Sequence, residues 1–227
     1  MSNETNASLR RLILVPALIT LALTLLRLTG ELLLWSPRLF NRDAGGGAAL
    51  VGIVWLIPIF GIWFALQLDK AGQGPPSVGR ALGWAGLAFV VNTALGFGSF
   101  ALFPGSPVVQ LGIFTITSFL AIAIARPGWP ALWRVLLAYG IAGRVPVLVA
   151  MFLSIFLGWD THYAKPRPDF PPMGPWGLFF WTALLPQASI WIYLTIVGGT
   201  LFGAAAVGIR RWINRPAASG SEARGAA

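Results

Sequence analysis

The chain has 227 residues, of which 56% are hydrophobic and 10% are charged, and its mean hydropathy is +0.75. Soluble domains contain about 45–50% apolar and about 25% charged residues, so this composition excludes an ordinary soluble globule. The net charge of +9 comes from basic residues scattered at the ends of apolar runs. That pattern is typical of membrane topology and not of a nucleic-acid surface, so we expect no nucleic-acid partner.

Metal and cofactor chemistry has few candidate ligands in this chain. Cysteine is absent and His162 is the single histidine. This excludes disulfides, iron–sulfur clusters, Cys-based zinc sites and a bis-His centre within one chain. We therefore expect no metal site and no cofactor.

Six long apolar runs follow one another along the chain, and they predict transmembrane α-helices. Barrel strands would alternate in polarity over about ten residues, whereas these runs are continuous over about 18 to 25 residues. The sequence thus predicts an all-α integral membrane protein. It has one six-helix domain over residues 1–213 and a disordered cytoplasmic tail over residues 214–227. The predicted spans are residues 12–34, 48–68, 81–103, 108–125, 131–157 and 187–209.

The last apolar stretch, residues 177–209, is too long for one span. As a single helix it would measure about 50 Å, against a bilayer core of about 30 Å. Pro186 is expected to interrupt it. We predict a short outer re-entrant or interfacial segment over residues 176–185, followed by the sixth span from Gln187.

The distribution of basic residues predicts the orientation of the chain. The side that holds both termini carries ten Lys and Arg residues, and the opposite side carries four. Both termini are therefore expected in the cytoplasm. The small size, the short loops and the richness in Ala, Gly and Arg suggest a bacterial-type inner membrane. The ten are Arg10, Arg11, Lys70, Arg80, Arg126, Arg134, Arg210, Arg211, Arg215 and Arg224, and the four are Arg38, Arg42, Lys165 and Arg167.

Arg144 is the most unusual residue of the predicted spans, because it lies about 20 Å along the fifth helix, far from either membrane surface. A central arginine costs about 2.5–3.5 kcal/mol even on the lenient insertion scale, and by default it indicates a functional site with a partner. Glu31 is the one acid inside a predicted span, so we predict that Arg144 pairs with Glu31, directly or through water. Two roles stay open: a structural ion pair that joins helices one and five, or an arginine that binds a substrate.

Glu31 also has a closer basic neighbour in the sequence. Arg27 lies four residues earlier on the same helix face, which predicts a local ion pair. An alternative interpretation groups Glu31 with Arg144, Asp160 and His162 around one outward-facing polar pocket. In that arrangement Asp160 would raise the pKa of His162 and make a pH-sensitive gate. The simpler interpretation is an aromatic interfacial cap with ordinary polar loop residues.

Two amides are further candidates for the lining of this pocket. Asn92 and Gln187 lie inside or at the edge of predicted spans, where a polar side chain needs a hydrogen-bond partner. They either line a pore or join neighbouring helices.

Small residues give the sixth predicted helix a face for close packing. Gly199 and Gly203 form a GxxxG motif, and Gly208 continues it. This face packs either within the chain or against a second copy.

The sequence contains few of the parts that an enzyme requires. No histidine lies in a predicted span to act as a base, and no two acids share a helix. We predict a non-enzymatic membrane component or accessory subunit, in contact with the bilayer and with either a partner membrane subunit or a second copy. The alternative is a small transporter or channel-like protein. Its outward-facing pocket around Arg144 and Glu31 would take an anionic or carboxylate-bearing solute.

Overall fold

The structure is a computed structural model that describes residues 2–46 and 49–214. Over these residues the fold is entirely helical, and six helices are long and apolar enough to cross a membrane. The predicted tail lies outside the described residues, apart from Asn214. The helices are α1 (Ser2–Leu32), α2 (Leu56–Lys70), α3 (Val78–Leu102), α4 (Pro107–Ala125), α5 (Pro130–Phe156), α6 (Pro175–Leu178), α7 (Leu185–Ala188) and α8 (Ile190–Ile213).

The second span begins later than the sequence predicted. A 3-10 turn over Ile53–Trp55 leads into α2, whereas the predicted span began at residue 48. The reason is that the guanidinium group of Arg27 binds the carbonyl oxygens of Asn41, Gly46 and Val51. These carbonyl groups therefore stay in the loop that packs on α1, and the residues that carry them do not join α2.

Helical turns extend along the last apolar stretch from Pro175 to Ile213. Pro186, where the sequence predicted the interruption, lies inside a helical turn. A π-helix over Phe179–Leu184 precedes the proline, and the backbone leaves helical geometry at Ser189, with φ −121° and ψ −76°. The wider π turn accommodates the proline, which has no backbone N–H and would clash with the preceding turn of a regular helix. The 39 residues would extend about 58 Å as a straight helix, so they exceed one bilayer core.

Helix α8 is the centre of the bundle, because it packs against α2, α3, α4 and α5. Helix α1 packs mainly on α5, and α3 packs mainly on α4. The largest fully buried apolar side chains of the helices come from α2, α5 and α8. They include Phe64, Leu132, Leu136, Ile196 and Val207.

Glycines allow α2 and α8 to approach closely. A Cβ added to Gly61 would lie 2.5 Å from the Cα of Gly199, and one added to Gly203 would lie 2.7 Å from the Gly61 carbonyl oxygen. A Cβ on Gly208 would meet Val78 at 3.1 Å. The predicted small-residue face therefore packs within the chain, and it is not available as a seam between two copies.

The end of the bundle where α2 and α8 finish is fastened by an ion-pair cluster. Asp69 is buried and accepts hydrogen bonds from Arg210 and from Arg211, the latter at 2.6 Å. Trp129 donates to the Gln73 carbonyl oxygen of the neighbouring loop at 2.9 Å. These contacts hold the loop between α2 and α3 against α5 and α8.

The close approach of α2 and α8 predicts the effect of a single methyl group. Gly61→Ala should lower stability by about 1–3 kcal/mol, because the new Cβ meets backbone that cannot rotate away. Gly83→Ala on α3 is the matched control, since its Cβ meets nothing within 4 Å. Thermal unfolding in detergent should show a lower melting temperature for Gly61→Ala alone. Equal melting temperatures for the two variants would contradict this packing.

Candidate functional site

A cavity of about 420 Å³ lies at the end of the bundle where α1, α3 and α5 finish. One wall comes from α1 and α5, the opposite wall comes from α3 and α4, and α7 and α8 lie between them. The loop between α5 and α6 covers it. Its lining is mostly apolar and aromatic, and it includes Leu23, Ile53, Phe97, Phe100, Leu111, Phe114, Val147, Met151, Tyr163, Phe170, Ile190 and Trp191.

Arg144 lines this cavity from the middle of α5, with only 7% of its surface exposed. Its one hydrogen bond among the described residues is a long contact of 3.5 Å from Nη2 to the Thr195 hydroxyl oxygen. The buried Nε has no acceptor. The guanidinium lies 5.0 Å from the ring centroid of Trp191, which attracts the cation but does not neutralise its charge. No carboxylate of the described residues pairs with Arg144.

Two buried amides on the same cavity also have an unsatisfied atom. Gln187 contacts the Met151 sulfur at 3.7 Å, and Gln110 donates to the Phe103 carbonyl oxygen at 2.9 Å. The Oε1 atom of each has no partner. A buried polar atom without a partner costs about 1–3 kcal/mol. Unsatisfied polar atoms that converge on one apolar cavity are typical of a ligand site.

The predicted direct pair between Arg144 and Glu31 is wrong. Glu31 is fully buried, and its Oε1 accepts from Arg27 Nε at 2.8 Å and from His162 Nδ1 at 2.5 Å. Its Oε2 accepts from the backbone N–H of His162 at 2.9 Å. Arg27 is one helical turn from Glu31 and reaches it first, which confirms the predicted local pair. Both carboxylate oxygens therefore have donors, and Arg144 is not one of them.

Arg27, Glu31 and His162 form one compact cluster, which joins α1, the first loop and the loop after α5. The position of Arg27 depends on small neighbours, since a Cβ on Gly46 would lie 2.7 Å from its Nη2. Gly46 also has φ +79°, a conformation that disfavours a side chain. Arg27 and His162 line the cavity, while Glu31 lies behind them. Of the predicted group, His162 and Arg144 therefore line one cavity, whereas Glu31 does not line it.

Asp160 does not belong to the cavity lining, which corrects its predicted place beside His162. It is exposed, where it pairs with Arg42 and with Lys165 at 2.6 Å. These two cations are within reach on the surface, whereas the His162 ring turns inward to Glu31. The hydrogen bond and the charge of Lys165 lower the pKa of Asp160 below its ordinary value.

Asn92 also lies outside the cavity lining, contrary to the predicted pocket. It is buried between α3 and α4, where its Oδ1 accepts from the Ser118 hydroxyl at 3.4 Å. It therefore joins helices, the alternative role for such an amide. Gln187, in contrast, lines the cavity as predicted.

The pKa of His162 moves in the opposite direction to the predicted one. Burial lowers it below the ordinary value of 6.5, and the positive charge of Arg27 lowers it further, against the opposing hydrogen bond and charge of Glu31. At neutral pH the ring is therefore uncharged, and Nδ1 carries the proton that it donates to Glu31.

The other cations of the cavity already have acidic partners. Arg27 pairs with Glu31, Lys165 with Asp160 at 2.6 Å, and Arg167 with Asp169, whose Oδ1 is 3.0 Å from Arg167 Nε. No acid lines the cavity among the described residues. Arg144 is consequently the one positive charge of the lining that lacks a carboxylate partner.

The aromatic part of the lining was not predicted from the sequence. Phe97 and Phe100 lie three residues apart on α3, Phe114 lies on α4, and Phe170 lies in the loop after α5. The spacing of Phe97 and Phe100 places both on one helix face, but it does not distinguish a cavity wall from a lipid-facing surface. Phe170 is distant in the sequence, and only the folded loop brings it to the site.

Comparisons with protein families, with characterised proteins and with solved structures find no match to this chain. Within the described residues, no group of three histidine or acidic side chains is placed to hold a metal ion.

The buried cluster predicts unequal effects for two acids near the same loop. Glu31→Gln should lower stability by about 3–5 kcal/mol, because it leaves the buried charge of Arg27 without its carboxylate. The exposed Asp160→Asn is the matched control and should leave stability nearly unchanged. The measurement is thermal or denaturant unfolding of both variants. A loss for Asp160→Asn as large as for Glu31→Gln would contradict the assignment.

The lowered pKa of His162 predicts a pH dependence. The unfolded chain takes up the histidine proton near pH 6.5, and the folded protein takes it up only at lower pH. The stabilisation by His162 is therefore complete above that pH and is lost as the pH falls below it. The melting-temperature difference between the wild type and His162→Gln should shrink between about pH 7.5 and about pH 5.5. A difference that grows on acidification would mean that a charged His162 stabilises the fold.

Proposed function

We propose that this protein is a non-enzymatic membrane protein that binds an anionic solute in the cavity beside Arg144, and that it acts as a small transporter or carrier for that solute. The observation that carries the proposal is the buried guanidinium without a carboxylate partner, on the wall of a cavity large enough for an organic molecule. A buried charge is costly unless it is paired. An anionic ligand would supply the missing charge.

The chemistry of the arginine favours a carboxylate or phosphate group. A guanidinium presents parallel N–H donors that match two oxygens of such a group. The Nε of Arg144 has no acceptor, and the single contact from Nη2 to Thr195 is long enough to be exchanged for a better acceptor. The opposite side of Arg144 borders a void of only about 10 Å³, which holds a water molecule at most. The partner would therefore bind from the large cavity.

We further propose that the cavity opens towards the outer side of the membrane and that both termini are cytoplasmic. The excess of basic residues on the side of the termini supports this orientation. We place the protein in a bacterial-type inner membrane, with the residues before Pro186 at the outer surface. The role of accessory subunit stays a prediction. Gly199 and Gly203, which could also have packed against a second copy, pack inside the chain.

Benzoate binding tests the proposed function. In nanodiscs of zwitterionic lipid, benzoate should bind the wild type in isothermal titration calorimetry and raise its melting temperature, whereas benzylammonium should not. Arg144→Gln should weaken benzoate binding by about ten- to a hundredfold, the value of a charged hydrogen-bonded partner. The control is Arg134→Gln, an exposed arginine on the same helix.

Two results would contradict the proposed function. One is equal binding of benzoate by the wild type and Arg144→Gln. The other is binding of benzylammonium as tight as that of benzoate, which would show that the charge of Arg144 does not select the ligand.

The orientation can be tested by single-cysteine labelling, since the chain has no cysteine of its own. Pro76→Cys lies in the loop between α2 and α3, and Pro168→Cys lies in the loop after α5; both positions are exposed. A membrane-impermeant maleimide added to intact cells should label Pro168→Cys, and label Pro76→Cys only after the membrane is opened. The reverse pattern would place the cavity on the cytoplasmic side, and labelling of both from one side would refute the six spans.

A further inference from the structure

We propose that the ligand of this cavity is a single-chain amphiphile with one negative charge, whose carboxylate head binds Arg144 and whose apolar body packs against the aromatic walls. The inference rests on the proposed function and names the chemical class of its ligand. It depends on three features of the cavity, namely its charge, its walls and its edge.

The charge of the cavity indicates one negative charge on the ligand. Three of the four cations in the lining have carboxylate partners, and these partners are Glu31, Asp160 and Asp169. Arg144 alone has none among the described residues. A ligand with one negative charge would leave a neutral pair in the membrane interior. A second negative charge on the ligand would have no unpaired cation beside it in the cavity. It would therefore be an unpaired buried charge, which is costly.

The walls indicate that most of the ligand is apolar. Aromatic rings from α3, α4 and α8 line the cavity, Trp191 lies 5.0 Å from the guanidinium of Arg144, and aliphatic side chains of α1 and α5 complete the lining. A small, fully hydrated anion such as acetate would leave these surfaces without contacts. A volume of about 420 Å³ is at the lower end of the range for organic ligands, so it suits one chain better than a two-chain lipid.

The edge of the cavity indicates that the ligand can come from the bilayer. Phe97 lines the cavity and is nevertheless 61% exposed, and Phe100 beside it is 37% exposed. Both rings lie on α3, so the cavity wall is continuous with the lipid-facing surface of that helix. The α1–α5 pair and the α3–α4 pair are connected through α8, and the cavity occupies the space between the two pairs. An amphiphile dissolved in the membrane therefore has a route between them.

The test compares dodecanoate, acetate, inorganic phosphate and dodecyltrimethylammonium in nanodiscs of phosphatidylcholine, with dissociation constants from calorimetry. We expect dodecanoate to bind the wild type at least about a hundredfold more tightly than acetate, because burial of each methylene group is favourable. Arg144→Gln should weaken dodecanoate binding by about ten- to a hundredfold. Dodecyltrimethylammonium should not bind at the site.

Phe97→Ala tests the apolar wall without disturbing the core, because Phe97 is largely exposed. It should weaken dodecanoate binding by about threefold or more and weaken benzoate binding less, because the shorter ligand buries less apolar surface. Phe119→Ala is the matched control, because Phe119 is an exposed phenylalanine of α4 outside the cavity lining. It should change neither affinity. Equal losses for the two variants would assign the effect to the lipid-facing surface.

The outcomes separate this inference from the proposed function. If acetate or inorganic phosphate binds as tightly as dodecanoate and the binding depends on Arg144, the ligand is a water-soluble anion. The amphiphile is then overturned while the proposed function stands. If dodecanoate binds Arg144→Gln as tightly as the wild type, or if dodecyltrimethylammonium binds equally well, both are overturned.

Discussion

The buried charge of Arg144 is the constraint on which this account depends. Taking a guanidinium out of water is costly, and elsewhere in the bundle buried ions have a partner of opposite charge. Arg27 has Glu31, and the carboxylate of Asp69, whose side chain is 5% exposed, has Arg210 and Arg211. Arg144 has a long contact to a hydroxyl and the face of a tryptophan ring, which stabilise a cation without neutralising it. We infer that the neutralising charge comes from outside the chain, and that the cavity is where it binds.

The cluster of Arg27, Glu31 and His162 gives the cavity its form. Its hydrogen bonds hold the first loop and the loop after α5 against the end of α1, so both loops stay over the space between the helix pairs. The same bonds occupy both oxygens of Glu31, which leaves Arg144 without that partner. The Arg27–Glu31 ion pair therefore explains both why the two loops lie over the cavity and why Arg144 has no carboxylate partner.

The six spans and the local Arg27–Glu31 pair could be predicted because they depend on apolar run length and on spacing along one helix, and the structure confirms both. Arg144 could be singled out because a central arginine is costly wherever it lies. The partner of Arg144 could not be predicted in the same way. Whether the carboxylate of Glu31 pairs with Arg27, His162 or Arg144 depends on how a loop 131 residues away folds. The start of α2 was missed for the same reason, since carbonyl groups that bind Arg27 carry no pattern in the sequence.

Native mass spectrometry of the protein, extracted from its own membrane in a mild detergent, tests whether Arg144 holds an anionic ligand. We expect the wild-type chain to carry one additional small mass, which is a single-chain acid, and we expect Arg144→Gln to lack it while Arg134→Gln retains it. A bound mass that persists in Arg144→Gln would contradict the role of the arginine. So would a wild-type chain that carries no ligand and instead associates with a second protein at fixed stoichiometry, which would favour the accessory subunit.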